Sequence, residues 1–383
     1  MTLRAQGIEA PTDPDSLADE AHHALTQRAR SGPFVVKIGS SVLAAEGGGL
    51  DPARVSSLAE QIATLASPKH WPVVVSSGAI LAGVGALGLA AKPKTMAGLQ
   101  AAAAVGQSKL VEAWSLALQR ARIPVAQVLL THADLADRTR FLNARRAIAE
   151  ISKRRAIAVI NENDTVSTEE IAFGDNDGLA AQVANLVDAS VLVLLTVAPG
   201  LLNTQGDRVR AAFAADPKLD GMLRADKSKH GKGGMGSKLD AARAAAARGA
   251  IVVIAPGTEA SVLVDLFSGK DVGTILLPRH GASPMKSRAH WIAYTLRARG
   301  TLIIDRGAAH AITRDGRSLL PSGITGVEGE FEAGDAVSVT EGVDRRVLAR
   351  GLVRKSARDL RASLGAKRMS DEAIHKDDLV VLV

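Results

Sequence analysis

The chain has 383 residues, 46% hydrophobic and 23% charged, enough to bury two cores and too mixed for a disordered or fibrous protein. It has no cysteine, which excludes disulfides, thiolate metal sites and cysteine nucleophiles, and its 3% aromatic content leaves little with which to stack bases or sugars. The formal net charge of +7 suits nucleic acid or small phosphorylated ligands, so the position of the charge must decide between them.

Residues 1–30 carry Asp13, Asp15, Asp19 and Glu20 and no apolar core of the signal-peptide kind, so they read as a loosely held, partly helical N-terminal extension of a cytoplasmic protein. Short, continuously apolar runs follow at Phe34–Ile38, Pro72–Ser76, Pro124–Leu130, Ala156–Ile160, Ser190–Leu195, Ala250–Ala255 and Gly273–Leu277. Such runs are expected of strands covered on both faces. Between them lie Ala-rich amphipathic stretches, which predict helices over Asp51–Leu65, Ala79–Leu87, Met96–Arg120, Arg138–Ser152, Gly178–Asp188 and Lys238–Arg248. This alternation predicts an α/β domain over residues 31–285 with a mostly parallel central sheet. The uncharged run Trp71–Ala91 contains Pro72, Ser76–Ser77 and four glycines, so it reads as strand, turn and helix and no membrane contact is expected. Residues 286–299 are expected to form a connecting helix. Beyond Arg299 turn signals multiply, with strands expected at Phe331–Thr340 and Val347–Val353, so residues 300–383 read as a small, mainly β module.

The run Gly83-Val84-Gly85-Ala86-Leu87-Gly88 spells a dinucleotide fingerprint but lies inside a predicted helix with no acidic ribose partner downstream, so packing glycines are the better reading. No close metal-ligand spacing links the nine histidines. Four segments carry more. Val35-Val36-Lys37-Ile38-Gly39-Ser40-Ser41 delivers a lysine from a strand into a small-residue turn suited to phosphate oxygens, or simply to a solvated lysine. Val74-Val75-Ser76-Ser77-Gly78 is a second strand running into such a turn, where a serine either caps the next helix or receives an anion. Asn161-Glu162-Asn163-Asp164-Thr165 and Gly174-Asp175-Asn176-Asp177-Gly178 crowd polar side chains at a strand end, a costly arrangement unless something binds there. Acidic groups for an ammonium and amides for a carboxylate suit an amino-acid ligand, although Asp175 to Asp177 also reads as a helix cap. Arg224–Lys238 holds five Lys or Arg against one Asp, together with four glycines, as in a loop closing over a polyphosphate or a bland surface loop.

In order and over nearly the whole chain, VVKIGSS, VVSSGAI, THADLADRTRFLNAR, INENDTVSTEEIAFGDNDGLAAQVA, GKGGMGSK and LLPSGI resemble the glutamate 5-kinase branch of the amino-acid kinase family, whose long form ends in a PUA domain. The resemblance implies a three-layer αβα open sandwich with a small, β-barrel-like PUA domain. It implies transfer of the ATP γ-phosphate to the side-chain carboxylate of L-glutamate, the first step of proline biosynthesis. It assigns Lys37, Lys238 and Asp177 to catalysis, with Asp177 orienting the lysines. Ser77, Asp164, Asn176 and Asn161 fall to glutamate. Lys37, Gly39, Ser40, Thr196, Val197, Lys232, Gly233, Gly234, Met235, Gly236, Ser237 and Lys238 fall to ATP. It also implies proline as feedback inhibitor, association with copies of the chain and a downstream γ-glutamyl phosphate reductase. The chain departs from the family pattern at Val197, Leu202 and Lys232, all on the nucleotide side.

A carboxylate nucleophile is already ionised at neutral pH, so no general base is required. The barrier lies in bringing two anions together and stabilising charge on the phosphoryl oxygens, which two lysines and Mg²⁺ held mainly by the ATP phosphates would supply, with no dedicated protein metal site. Two rival readings are another carboxylate-phosphorylating kinase, such as an acetylglutamate kinase, and an RNA-binding or RNA-modifying protein. For RNA, residues 300–383 balance 13 basic against 13 acidic residues, but Arg345–Arg368 holds nine basic and one acidic, leaving RNA as a secondary partner.

Overall fold

The structure, a computed structural model, describes residues 13–28, 31–167, 176–225, 234–279, 283–342, 346–364 and 371–382. It comprises two compact units, Met1–Pro284 and Met285–Val383.

The first unit is built on eight strands: β1 (Phe34–Ile38), β2 (Pro72–Ser76), β3 (Val125–Leu130), β4 (Ile157–Glu162), β5 (Val191–Thr196), β6 (Ala211–Phe213), β7 (Ile251–Pro256) and β8 (Thr274–Leu277). Their order across the sheet is β3-β4-β2-β1-β5-β7-β8-β6. Every residue of β1, β2, β4 and β7 is buried. Because successive side chains point to opposite faces, this burial requires cover on both sides of the sheet. The edge strand β3, by contrast, exposes Gln127 and Leu129. All pairings are parallel except β7 with β8, which is antiparallel.

The helices of this unit are α1 (Pro14–Arg28), α2 (Ser40–Leu43), α3 (Pro52–Leu65), α4 (Ala79–Ala86), α5 (Met96–Gln119), α6 (His132–Ala136), α7 (Arg138–Lys153), α8 (Asp177–Leu186), α9 (Lys218–Ala225), α10 (Met235–Ala247) and α11 (Val262–Phe267). Local chemistry sets their starts. Asp51 accepts from the Ala53 and Arg54 amides with Pro52 in the first turn of α3, a capping arrangement worth about 1 kcal/mol. Phe34, Val36, Leu58, Ile62, Trp114 and Leu266 meet in one core, where each large aliphatic side chain contributes about 1.5–3 kcal/mol. Gly83 and Gly106 let α4 and α5 touch backbone to backbone: a Cβ on Gly106 would lie 1.8 Å from the Ala79 carbonyl oxygen, and one on Gly83 1.8 Å from that of Ala102. Gly83 is a packing glycine.

Several boundaries differ from the sequence reading. Residues 14–28 are not loosely held: α1 docks with Ala21 and Leu25 fully buried in the sheet core, because one face of this short, otherwise polar helix is apolar. β4 runs two residues further than expected and carries Asn161 and Glu162 inside the strand. α10 begins at Met235 rather than Lys238, so Lys238 lies in its first turn. The three-residue strand β6 was not anticipated; it is too short to show a pattern.

The second unit has a five-stranded sheet ordered β10 (Ile324–Gly329), β9 (Gly300–Ile304), β11 (Ala336–Glu341), β12 (Val347–Leu352) and β13 (Leu379–Val381). It has its own core, including Leu302, Val337, Val339 and Ile374, capped by α13 (Arg306–Thr313) and α14 (Ala357–Ala362). Two expectations are corrected here. No continuous helix spans 286–299; a short α12 (Ser287–His290) passes into a π-helical turn at Trp291–Thr295, and Ile292 and Ala293 pack with Val380 of β13. The strand expected from Phe331 begins at Ala336, because Gly334, at φ +96°, makes a turn. No helix among the described residues is long and apolar enough to cross a membrane.

Candidate functional site

Parallel pairing aligns the strand ends. Lys37 is level with Val75 on one side and Leu194 on the other, and Val75 is level with Ile160. The polar residues that follow these positions therefore emerge at one sheet edge: Gly39 and Ser40 after β1, Ser77 after β2, Asn161 near the end of β4 and Thr196 at the end of β5. Successive strands depart from β1 in opposite directions across the sheet, to β2 and to β5. Open α/β sheets take their ligands in the crevice outside the carboxyl ends of the strands at such a topological switch.

Three buried charges meet at this edge. Asp177, the first residue of α8, is fully buried; its Oδ1 lies 2.6 Å from Lys37 Nζ and its Oδ2 2.9 Å from Lys238 Nζ. The Ser237 hydroxyl donates to the same Oδ2 at 3.1 Å. Lys37 and Lys238 are 3% and 7% exposed. Asp177 does not cap α8: Asn176 occupies that position and makes no side-chain capping bond. Burying three charges is costly unless each is paired, and here each lysine has the carboxylate within ion-pair distance. Gly234 is the cap and Met235, Gly236, Ser237 and Lys238 form the first turn of α10, with no side-chain capping bond; a helix start is a favourable place for an anion.

Beside the charges runs a chain of neutral groups. Asn176 Nδ2 donates to Ser77 Oγ at 2.9 Å and to Asn161 Oδ1 at 2.8 Å, and Asn161 Nδ2 donates to Gln107 Oε1 at 2.9 Å. All four residues are buried. Neither serine of the β2 turn caps α4. Ser76 Oγ instead accepts from Trp114 Nε1 at 3.1 Å, and the cap is Gly78 at φ +111°, a conformation other residues rarely adopt. Asp164 sits beyond this chain, 6% exposed. Burial, reinforced by the Glu162 carboxylate and opposed by Lys92, pushes its pKa up to about 7. Gln107, Glu162, Asn163 and Asp164 share the wall of a cavity of about 270 Å³.

The structure thus brings Lys37, Lys238 and Asp177 together, and separately Ser77, Asn176 and Asn161, with Asp164 in the adjoining cavity. Thr196 is half-buried at the end of β5 and Val197 is exposed. Lys232 and Gly233 lie outside the described residues, as do Asp175 and most of the basic run 224–238. Gln107 was missed, because a lone glutamine in an Ala-rich helix carries no local signal. Of the basic run Arg345–Arg368, Arg354, Lys355 and Arg361 lie within ion-pair distance of Glu372, Asp371 and Glu330. No group of three or more His, Asp or Glu side chains that could hold a metal occurs among the described residues.

The amino acid kinase family model matches residues 32–255 and the PUA domain model residues 300–383. Glutamate 5-kinase from Nitrosococcus oceani is 42% identical over 365 residues, covering 91% of this chain and 96% of its own. The enzyme of Thioalkalivibrio sulfidiphilus is 44% identical over 367 residues with the same coverage, and that of Syntrophus aciditrophicus 42% over 364, covering 91% and 94%. The match runs through both units, and the chain belongs to the amino acid kinase family, among its glutamate 5-kinases with a C-terminal PUA domain.

Proposed function

We propose that the crevice transfers the γ-phosphoryl group of ATP to the side-chain carboxylate of L-glutamate, giving γ-glutamyl phosphate, the first intermediate of proline biosynthesis. The observation that carries this reading is the Lys37–Asp177–Lys238 cluster, set beside a neutral amide chain and an acidic cavity. A carboxylate oxygen of glutamate attacks the γ-phosphorus, the bond from that phosphorus to the β,γ-bridging oxygen breaks, and ADP leaves with the electron pair. No proton moves in this step.

The charges of the triad sum to one positive, placed where phosphoryl oxygens gain charge in the transition state. Asp177 separates the two lysines and fixes their direction. Lys37, Gly39, Ser40 and Thr196, with Val197 and the first turn of α10 from Gly234 to Lys238, would hold ATP. Mg²⁺ would travel on the nucleotide's phosphate oxygens and neutralise them. Ser77, Asn161 and Asn176 would receive glutamate, and Asp164 its ammonium. Only β2 separates β4 from β1, so these two strands stand about 10 Å apart and their carboxyl ends lie within reach of one amino-acid ligand and a phosphoryl group.

Family membership also supports proline as feedback inhibitor, association of copies, a γ-glutamyl phosphate reductase as consumer of the product, and a cytoplasmic setting. RNA contact by the second unit is a secondary reading. ADP release measured with L-glutamate, N-acetylglutamate and aspartate tests the main proposal. Glutamate should be strongly preferred, because acetylation removes the ammonium and strands a buried carboxylate. Equal turnover of acetylglutamate would overturn it.

A further inference from the structure

Gln107 of α5 stands at the far end of the amide chain, 8% exposed. Its Oε1 accepts from Asn161 Nδ2, and Asn161 Oδ1 is in turn engaged by Asn176. A carboxamide whose oxygen is used in this way presents its two N–H protons on the opposite side. Gln107 Nε2 has no hydrogen-bond partner among the described residues, and neither has Asp164 Oδ1. Both residues line the 270 Å³ cavity, with Glu162 beside them. A buried donor without an acceptor is costly to leave unmade. Here it faces the same space as two carboxyl groups. A ligand with only a cation would suit the carboxyls and leave the amide unmet, and a simple anion would be repelled by them. A group carrying ammonium and carboxylate on one carbon satisfies both walls.

We propose that Gln107 is a specificity-determining residue: through Oε1 it holds Asn161 in place, and through Nε2 it donates to the α-carboxylate of the amino acid whose ammonium faces Asp164. This assignment deepens the glutamate reading and rests on it.

Steady-state kinetics of the full-length Gln107→Met and Gln107→Glu proteins test it, with L-glutamate and with its α-carboxamide L-isoglutamine, which keeps the reacting γ-carboxylate. Methionine matches glutamine in length without its hydrogen bonds. Gln107→Met should raise the glutamate KM about tenfold or more, with kcat within about threefold and the ATP KM unchanged. The preference for glutamate over isoglutamine should shrink by a similar factor. Gln107→Glu restores an acceptor for Asn161 but sets an anion against the α-carboxylate, so its glutamate KM should rise further still. An unchanged preference in Gln107→Met would overturn the proposal. So would full recovery of the glutamate KM in Gln107→Glu, since Gln107 would then act through Asn161 alone. For a variant too slow to assay, thermal stabilisation by each ligand replaces kinetics: a lost glutamate shift beside a retained ATP shift supports the assignment, and a retained glutamate shift overturns it. If the unaltered enzyme fails to phosphorylate glutamate, the underlying reading fails, and the two failures remain distinct.

Discussion

The two halves of the polar sheet edge bury their groups by opposite means. On the β1 and α10 side, full charges are compensated by one another, with Asp177 between two lysines. On the β2 and β4 side, hydroxyl and carboxamide groups satisfy each other in a neutral chain from Ser77 to Gln107. Removing one member of a buried ion cluster leaves a charge without its partner, which typically costs about 3–5 kcal/mol. Removing one link of a neutral chain costs about 1–3 kcal/mol. The charged half should therefore govern turnover and integrity together, while the neutral half should tune the acceptor's affinity with little effect on the chemistry.

The sharpest way to break this division is to discharge a lysine. Lys238→Met and Lys37→Met should each lower kcat by about two to three orders of magnitude or more, as loss of a transition-state charge does, with substrate KM values changing much less. Normal turnover in either variant would sink the phosphoryl-transfer geometry. Asp177→Asn should follow with a milder fall in kcat, joined by a clear drop in melting temperature as two buried lysines lose their common anion. If Asp177 served only the start of α8, the variant would lose about 1 kcal/mol or less and keep near-normal kcat, since Asn suits helix starts. Kinetics beside a melting curve distinguishes the two.

On the acceptor side, pH sharpens the comparison. With the Asp164 pKa raised to about 7 by burial and by Glu162, against the pull of Lys92, acidification from pH 8 to pH 6 protonates the carboxylate and would discharge the proposed ammonium site. The glutamate KM should rise as pH falls through about 7, approaching tenfold per unit below it, while the ATP KM stays flat. The sign for stability is the reverse. The folded-state pKa lies above the unfolded one, so the penalty is absent below about pH 4 and complete above about pH 7. Asp164→Asn should thus melt higher than the unaltered enzyme at pH 8 while binding glutamate more weakly and losing the pH dependence of KM. A lower melting temperature at pH 8 would show that Asp164 is not a strained, ligand-facing carboxyl. The smallest effect is expected from removing the second unit. A chain ending at Pro284 retains the whole first core and both halves of the site, and its kcat should stay within about threefold. Loss of both solubility and activity would show that the two units do not fold independently.

Much of this was legible in the sequence because it depends on local pattern. Continuous apolar runs marked β1, β2 and β4 within a residue or two, since strands buried on both faces have no polar position to hide. The amphipathic pattern from Asp51 marked α3 within a residue of its observed start at Pro52. Lys37, Ser77, Asn161, Asp164, Asn176 and Asp177 stood out because polar residues at the end of an apolar run are anomalous where they occur. Tertiary structure alone decided what these residues do to one another. Lys37 and Lys238 are 201 positions apart in the chain, and only the parallel register of β1 and the approach of α10 to α8 bring both onto one carboxylate. Ser76 accepts from Trp114 and Ser77 from Asn176, a division of the two serines that no local pattern shows. The docking of α1, the antiparallel β8 and the part played by Gln107 were likewise invisible, because each depends on surfaces supplied by distant segments. Local sequence sets how a residue is presented, whereas pairing energies depend on separations of a few ångströms that exist only once the sheet has assembled.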